Sequence, residues 1–219
     1  MILVPSRGRP ENVRRLWNAI QNTAAEPVHL FVRTDDDDIR YPFLESVTYH
    51  RGPRLRLGGT YNEMAATVYQ SYRFLGLWND DHLPTTPGWD VAMKAAITEP
   101  FGVSYAPDGN WENGELPTAP IVTSSMFEAL GWVCLPGLTH WFVDNVWKTL
   151  GEDTKSLHFL PKVRVEHYHR VNGKAEDDQT YRDANDNHAQ NHSDASRYHQ
   201  WLDSDERRLN VQALLALGK

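Results

Sequence analysis

The order of apolar and polar segments predicts an α/β fold with a mostly parallel central sheet flanked by helices. Short apolar runs at residues 1–5, 28–32 and 72–78 have the length and composition of buried strands. Stretches with helical apolar spacing separate them, and strands that alternate with helices pair in parallel. The 219 residues are enough for one domain with a sizeable core, and no internal repeat or low-complexity linker divides the sequence.

Regular elements follow one another closely in the first half of the chain. Val13, Leu16 and Ile20 share one helical face after Pro10, a residue that suits a first helical turn. The same reasoning predicts, in order, strand 1–5, helix 10–23, strand 28–32, strand 47–49, helix 61–70 and strand 72–78.

The second half of the chain is less regular. Residues 107–120 are rich in Pro, Gly, Asn and Asp, so we expect a long exposed loop there. Loops of this length commonly carry function. Around it, the patterns predict helices at 88–98, 126–130 and 140–150, strands at 103–105, 121–123 and 162–169, and a final helix at 194–217 with Ser193 as its N-cap.

Composition excludes several classes of protein. The net charge is −7, and all of the negative excess lies after residue 75, which argues against generic nucleic-acid binding by a basic surface. No run of 18 apolar residues could span a membrane. Cys134 is the single cysteine and cannot form an internal disulfide. Because the first residues lack the pattern of a secretory signal, we expect a cytoplasmic protein.

Three polar clusters lie where predicted strands end, at residues 6–9, 33–38 and 79–82. Ligands of parallel α/β sheets bind at the carboxyl ends of the strands, so these clusters predict a site. Asp80 and Asp81 are adjacent carboxylates, which repel each other unless water or a cation lies between them. Mg²⁺ and Mn²⁺ take such oxygen ligands together with substrate phosphates. A solvated polar turn is the alternative.

Further candidates lie later in the chain. His167 and His169 point to the same face of the predicted strand 162–169, where they could bind a metal or be ordinary surface histidines. Asp144 lies among bulky apolar residues. It could be a general base with a shifted pKa, or a buried acid with a structural role. Trp89 could stack on a sugar or belong to the core.

The first third of the chain offers groups for an anionic ligand. Arg7, Arg9, Arg54 and Arg56 suit bidentate phosphate contacts, although solvated surface arginines are the alternative. Of the four acids at 35–38, only the first one or two would sit at the strand end. A carboxylate there could accept hydrogen bonds from a nucleobase or a ribose.

Together these residues resemble GT-A-fold glycosyltransferases, most of all the family 2 type. In that family an apolar strand leads into a Pro-containing loop that cradles the nucleotide, as in MILVPSRGRP at residues 1–10. An acid at the end of the second strand faces the nucleobase, which fits Asp35 or Asp36. A segment with Gly and Asn precedes a helix, here at 58–62, and an apolar strand then ends in an Asp-x-Asp-type metal motif, here LWNDD at 77–81.

The resemblance also assigns residues in the second half. A Gly-containing segment, here 130–132, precedes a helix whose acid is the catalytic base, which corresponds to Asp144. A late histidine completes the metal site, and His167 or His169 would supply it. The usual Glu-Asp pair at the base is Val143-Asp144 here.

The resemblance covers about residues 1–175 and implies one Rossmann-like GT-A domain there, with a helical extension at 176–219 packed on the same domain. The size and the Gly-Lys-Ala sequence at 173–175 resemble small phage-type and bacterial members. The implied activity is Mn²⁺- or Mg²⁺-dependent transfer of a sugar from a nucleotide-diphosphate sugar, first a UDP-sugar, to an acceptor hydroxyl with inversion. The implied donor contacts are Pro5, Ser6, Arg7, Arg9, Asp35, Asp36, Arg54, Arg56, Asn62, Asp80 and Trp89, and the implied metal ligands are Asp80, Asp81, His167 and His169.

Two alternatives to a glycosyltransferase stay open. A metal-dependent nucleotidyltransferase or phosphohydrolase would use the same arginines and carboxylates. A non-catalytic module that binds a nucleotide or glycan is also compatible, because Asn79 stands at the first position of the Asp-x-Asp pattern. For a transferase, the acceptor could be a virion protein, a glycan or a modified DNA base.

Overall fold

The structure, a computed structural model, describes residues 1–169, 173–175, 182 and 188–219. The strands of this part of the chain are β1 Ile2–Pro5, β2 Leu30–Asp35, β3 Val47–Gly52, β4 Phe74–Leu77, β5 His82–Pro84, β6 Val103–Tyr105, β7 Ile121–Thr123, β8 Leu157–Phe159 and β9 Val165–His167. Its helices are α1 Pro10–Thr23, α2 Arg56–Val68, α3 Trp89–Ala96, α4 Ser125–Leu130, α5 Val143–Asp153, α6 His188–Leu202 and α7 Asp205–Ala216.

A seven-stranded sheet with the order β3-β2-β1-β4-β7-β6-β8 forms the centre of the fold. The strands β3, β2, β1 and β4 are mutually parallel, whereas β7 runs antiparallel to both of its neighbours. The mixed but mostly parallel sheet confirms the predicted α/β class. Because the chain extends from β1 towards β2 on one side and β4 lies on the other, a crevice forms at the carboxyl ends of these strands.

A second, two-stranded sheet pairs β5 with β9 in antiparallel register. His82 lies opposite His167 in this pair. The sequence analysis did not predict β5, because three residues between a polar turn and a proline show no strand periodicity. This pairing brings the end of the Asp80–Asp81 turn to the late histidine.

The central sheet buries both of its faces. Ile2 and Val4 belong to one buried cluster, with residues of α1 and α3, and Leu3 belongs to the other, with residues of α2 and α5. This alternation is the two-residue period of a strand covered on both sides. Trp201 of α6 and Leu214 of α7 lie in the same cluster as Leu3, so the C-terminal helices share its core. The predicted boundary at 175/176 adjoins residues outside the described part and stays a prediction.

Three helix predictions differ from the structure. The predicted helix 140–150 is displaced by three residues and is α5, Val143–Asp153. Helix α2 begins at Arg56 and contains Gly58, whose added Cβ would lie 2.4 Å from the Leu138 carbonyl oxygen. Gly58 therefore lies inside the helix and permits close backbone approach, whereas the sequence predicted it in a segment before the helix. The predicted final helix is two helices, α6 and α7. Ser193 lies inside α6, and Ser204 caps α7, its Oγ accepting a hydrogen bond from the Arg207 backbone N–H at 3.3 Å.

None of the described helices is both long enough and apolar enough to cross a membrane.

Candidate functional site

A cleft of about 540 Å³ opens at the carboxyl ends of β1, β2 and β4. Twelve of the residues predicted from sequence lie together in its wall: Pro5, Ser6, Arg7, Arg9, Asp35, Arg54, Arg56, Asp80, Asp81, Asp144, His167 and His169. They come from strand ends, the loops that follow them and the first turns of α2 and α5. The crevice expected of a parallel sheet therefore gathers residues that are far apart in the sequence.

A carboxylate and two imidazoles form a group in this cleft that could hold a metal ion. Asp81, His82 and His167 each offer a ligand atom within 4.8 Å of the others. The Asp81 Oδ1 atom lies 3.4 Å from His167 Nε2 and 3.8 Å from His82 Nδ1, and the two imidazoles stack with ring centres 4.1 Å apart. The carboxylate is a ligand type that suits Mn²⁺, whereas the imidazoles suit Zn, Fe, Ni or Cu, so this donor set fits several divalent transition metals.

His82 was not predicted as a ligand, but it belongs to this group. The Asn79 backbone N–H donates to His82 Nδ1 at 3.1 Å, and burial lowers the pKa of His82 to about 3, which keeps the ring neutral. Its Nε2 is buried and has no hydrogen-bond partner among the described residues. Because Nδ1 accepts the Asn79 hydrogen bond, Nε2 carries the ring proton, and His82 could bind a cation through Nε2 only in the other tautomer, without that hydrogen bond. The donor types of Asp81, His82 and His167 fit a divalent cation in that tautomer.

Two of the predicted metal ligands lie beside this group rather than in it. The carboxylate of Asp80 accepts hydrogen bonds from Ser6 Oγ at 2.5 Å and from Asn12 Nδ2 at 3.2 Å, so it is turned towards the loop after β1. His169 follows the end of β9, and its ring centre is 5.0 Å from that of His167. Because the strand ends at His167, the expectation that both histidines share a strand face is wrong.

Asp108 holds His167 from the side away from Asp81. Its Oδ2 atom lies 3.6 Å from His167 Nδ1, and its backbone oxygen accepts the His167 N–H at 2.7 Å. Although burial opposes protonation, Asp108 and Asp81 raise the pKa of His167 to about 9. A carboxylate on the second nitrogen of an imidazole fixes the ring orientation, as it does for metal-ligating histidines.

Arginines surround Asp35 at the end of β2. The Arg7 and Arg33 guanidinium groups lie 2.8 Å and 3.2 Å from its carboxylate oxygens, and Arg54 lies 3.7 Å away. Arg33 is 1 % exposed and also bonds Glu63 at 2.6 Å. Arg33 falls in the predicted polar cluster 33–38 but was not singled out as a site residue, because the predicted strand ended at residue 32, whereas β2 continues to Asp35 and buries Arg33. The first wall of the cleft, formed by the lining residues from Pro5 to Asp81, thus carries five arginines against the three carboxylates of Asp35, Asp80 and Asp81.

A second wall of the cleft, formed by the loop 107–120 and by residues 139–145, contains Asp144 in the first turn of α5. Val143, Val146 and Trp147 anchor the inner face of this helix in the core, which leaves Asp144 on the cleft side. Burial raises the pKa of Asp144 to about 7. Phe142, just before the helix, has a φ of +66°, a backbone conformation that is strained for a residue with a side chain.

Two buried carboxylates fix the loops of this second wall. Asp108 Oδ1 accepts the backbone N–H groups of Asn110 and Trp111 at 2.8 and 2.7 Å. Asp194 of α6 accepts the backbone N–H groups of three consecutive residues, Thr139, His140 and Trp141, at 2.9–3.1 Å. The predicted loop 107–120 is therefore exposed at its tip but fixed at its base.

Three predicted residues are not in the cleft wall. Trp89 is 1 % exposed and packs on Trp78 with ring centres 4.7 Å apart, so the expectation that it stacks on a ligand is wrong. The side chain of Asn62 forms hydrogen bonds with the backbone of Val133 and Cys134, so it stabilises this loop rather than contacting the nucleotide-sugar. Asp36 is exposed just beyond β2 and outside the cleft wall, so only Asp35 of the two candidate acids lines it.

Several glycosyltransferases of known structure share this architecture. A mannosyltransferase from Pyrobaculum calidifontis, in complex with GDP-Man and Mn²⁺, superposes with a TM-score of 0.65 at 9 % identity, over 99 % of this chain and 68 % of that one. Residues 1–349 of TarS from S. aureus, in complex with UDP-GlcNAc, give 0.54 at 9 %, over 99 % and 79 %. Drosophila β1,4-galactosyltransferase 7, in complex with xylobiose, gives 0.54 at 13 %, over 81 % and 74 %.

The chain has the GT-A fold. The fold resemblance drawn from the sequence is therefore confirmed. No protein-family model and no curated protein sequence matches the chain. At identities near 10 %, the neighbours establish the architecture, and the site's own chemistry has to carry the function.

Proposed function

We propose that this protein is a metal-dependent glycosyltransferase that moves a sugar from a nucleotide-diphosphate sugar to an acceptor hydroxyl, with inversion at the anomeric carbon. The observation that carries the proposal is the division of one cleft into two chemistries. One part of the cleft carries five arginines and an Asp–His–His group, and the same cleft is lined by Asp144, a carboxylate whose pKa burial raises to about 7. The bound GDP-Man, UDP-GlcNAc and Mn²⁺ of the structural neighbours support it, and we propose UDP as the first nucleotide to test.

The first wall would bind the donor. Arg54 and Arg56 line the cleft and would pair with phosphate oxygens. Arg7 also lines it, but its guanidinium bonds Asp35 and Asp37 and would have to exchange these partners for a phosphate. Asp35 is oriented by Arg33 and Arg7 and can accept hydrogen bonds from the nucleobase or ribose.

Asp81, His82 and His167 would hold Mn²⁺ or Mg²⁺, which when bound supplies positive charge next to the departing diphosphate. Asp80 has a different role in this proposal. Its bonds to Ser6 and Asn12 fix the loop after β1, and so it shapes the donor side rather than binding the cation.

Asp144 would be the general base. Its carboxylate accepts the proton of the acceptor hydroxyl while that oxygen bonds to the anomeric carbon. The bond from that carbon to the diphosphate oxygen breaks, and its electron pair leaves with the nucleoside diphosphate. General-base help of this kind is worth about 10²–10⁴-fold, and a pKa near 7 is suited to it at neutral pH.

The test compares two acid-to-amide variants with a matched control. UDP release from a panel of UDP-sugars, and GDP release from GDP-mannose, is measured with Mn²⁺, along with thermal shifts by the free nucleotides. Asp144→Asn should lower turnover at least about 100-fold with nucleotide affinity unchanged. Asp81→Asn should remove the Mn²⁺-dependent part of the thermal shift. Asp203→Asn, an exposed acid between α6 and α7, should change neither.

Other outcomes would contradict the proposal. Full turnover in Asp144→Asn would exclude the base assignment. A nucleotide shift that persists in Asp81→Asn and in the presence of EDTA would exclude the metal site. Release of pyrophosphate instead of a nucleoside diphosphate would favour the nucleotidyltransferase alternative. Tight nucleotide binding with neither hydrolysis nor transfer of any donor would favour a binding module.

A further inference from the structure

We infer that the second wall of the cleft binds an uncharged saccharide as the acceptor, with Trp111 and Trp141 as its contact surfaces. The inference rests on the proposed function and goes further by naming the class of acceptor. It starts from a contrast between the walls. Five arginines line the cleft from the first 60 residues, whereas no lysine or arginine lines it among the described residues after Asp81.

The side chains that replace those cations are aromatic rings and amides. Trp111, Trp141 and Phe142 line this wall together with Asn110 and Asn145. Aromatic side chains offer flat apolar faces, and amides offer both donors and acceptors. A sugar ring has matching surfaces, because its C–H faces are apolar and its hydroxyl groups are directed outward from the ring edge.

Trp111 is held in place although it is exposed. The indole is 42 % exposed at the tip of the loop 107–120. Its backbone N–H donates to Asp108, which is 1 % exposed and also accepts a hydrogen bond from Thr118 Oγ1 at 2.7 Å. Because the loop base is fixed, the ring would lose little conformational freedom when a ligand stacks on it.

Trp141 offers a donor as well as a ring. Its backbone N–H donates to Asp194 at 2.9 Å, and its ring meets His140 edge-on at 5.3 Å between ring centres. The indole Nε1 is shielded from solvent and has no hydrogen-bond partner among the described residues. A hydroxyl group of a bound sugar would satisfy this N–H, which otherwise carries the cost of a buried unpaired donor.

Charge decides between the acceptor classes. DNA would need lysine or arginine side chains for its phosphates, and the described part of this wall has neither. Asp144 at the same wall also disfavours an anionic acceptor. A neutral saccharide hydroxyl meets both requirements, and it is the nucleophile that Asp144 would deprotonate.

The experiment measures which acceptor accelerates UDP or GDP release from the best donor with Mn²⁺. The probes are the methyl glycosides of glucose, galactose, mannose and N-acetylglucosamine, a duplex oligodeoxynucleotide, and a Ser/Thr-containing peptide. We expect at least one glycoside to accelerate release and the DNA and peptide to have no effect. Trp111→Ala should raise KM for that glycoside about tenfold or more, with UDP affinity unchanged.

Three further variants make the test specific. Trp111→Phe keeps a ring and should restore most of the glycoside affinity, and Trp141→Phe should raise KM by removing the indole N–H. Trp17→Phe is the control. Trp17 is on α1, outside the cleft wall, and its indole N–H donates to the backbone carbonyl oxygen of Glu45. Slow donor hydrolysis that no glycoside accelerates, or an unchanged KM in Trp111→Ala, would overturn this inference alone. Absence of any donor turnover would overturn the proposed function and this inference with it.

Discussion

Asp194 is the residue whose removal has the most calculable effect on the structure. It is fully buried in α6, and it accepts hydrogen bonds from the backbone N–H groups of Thr139, His140 and Trp141. The Thr139 hydroxyl and the Gln190 amide also donate to it. One carboxylate therefore joins the C-terminal helices to the loop that leads into α5.

The cost of removing Asp194 follows from the donors left behind. Each buried N–H without an acceptor costs about 1–3 kcal/mol, and Asp194→Ala leaves three backbone N–H groups without one. With partial entry of water we expect a loss of about 3–5 kcal/mol in the free energy of unfolding. In Asp194→Asn the amide oxygen can still accept from two of them while its NH₂ opposes the third, so about 1–2 kcal/mol should be lost.

Urea denaturation measures these losses, and thermal melting should agree. For a chain of this length, the Ala variant should melt about 10 °C lower or more. Asp203→Ala, an exposed acid at the end of α6, should stay within about 0.5 kcal/mol of the wild type. A loss below about 1 kcal/mol in Asp194→Ala would show that the three N–H groups find other acceptors and would refute this accounting.

Three more predictions follow from the site and the core. Because burial raises the pKa of Asp144 from 3.8 to about 7, transfer should rise with pH and level off above about pH 7. The native state holds that proton more tightly than the unfolded chain, so the free energy of unfolding falls as pH rises from about 4 to 7. Asp144→Asn removes this loss and should therefore raise Tm more at pH 8 than at pH 5. An equal change in Tm at both pH values would contradict the raised pKa. His82→Gln should weaken Mn²⁺ binding measured by calorimetry, as we also expect for Asp81→Asn. The control His29→Gln, at an exposed position, should leave Mn²⁺ affinity unchanged. An unchanged Mn²⁺ affinity in His82→Gln would exclude His82 as a ligand. Trp89→Ala should lower the free energy of unfolding by about 3–5 kcal/mol in urea denaturation, and at low temperature the folded variant should keep its nucleotide affinity. A folded variant that no longer binds nucleotide would show that Trp89 contributes to the binding site.

Some helices and strands of the fold follow from local sequence patterns alone. The helix 10–23 and the strands 103–105 and 121–123 coincide with α1, β6 and β7. In α1 this follows from a proline at the first turn and one apolar face. Such signals are local, so they survive whatever packs against them.

The site residues were predictable where they follow a strand. Asp35, Asp81 and the Arg7–Arg9 loop come directly after apolar runs, and strand ends meet at one edge of a parallel sheet. Trp89 shows the limit of this reasoning. A tryptophan beside a polar turn has the same local sequence whether it stacks on a ligand or on Trp78, and only the packing of α3 decides.

The sequence by itself determined the α/β class, the edge of the sheet at which a ligand would bind and the chemical types of most groups there. Only the tertiary structure decided which of them act together. The register of β5 on β9 pairs His82 with His167, and Asp194 reaches the loop before α5 from a helix near the C-terminus. Contacts of this kind join segments that are distant in the chain, and neither segment carries a local pattern that specifies its partner.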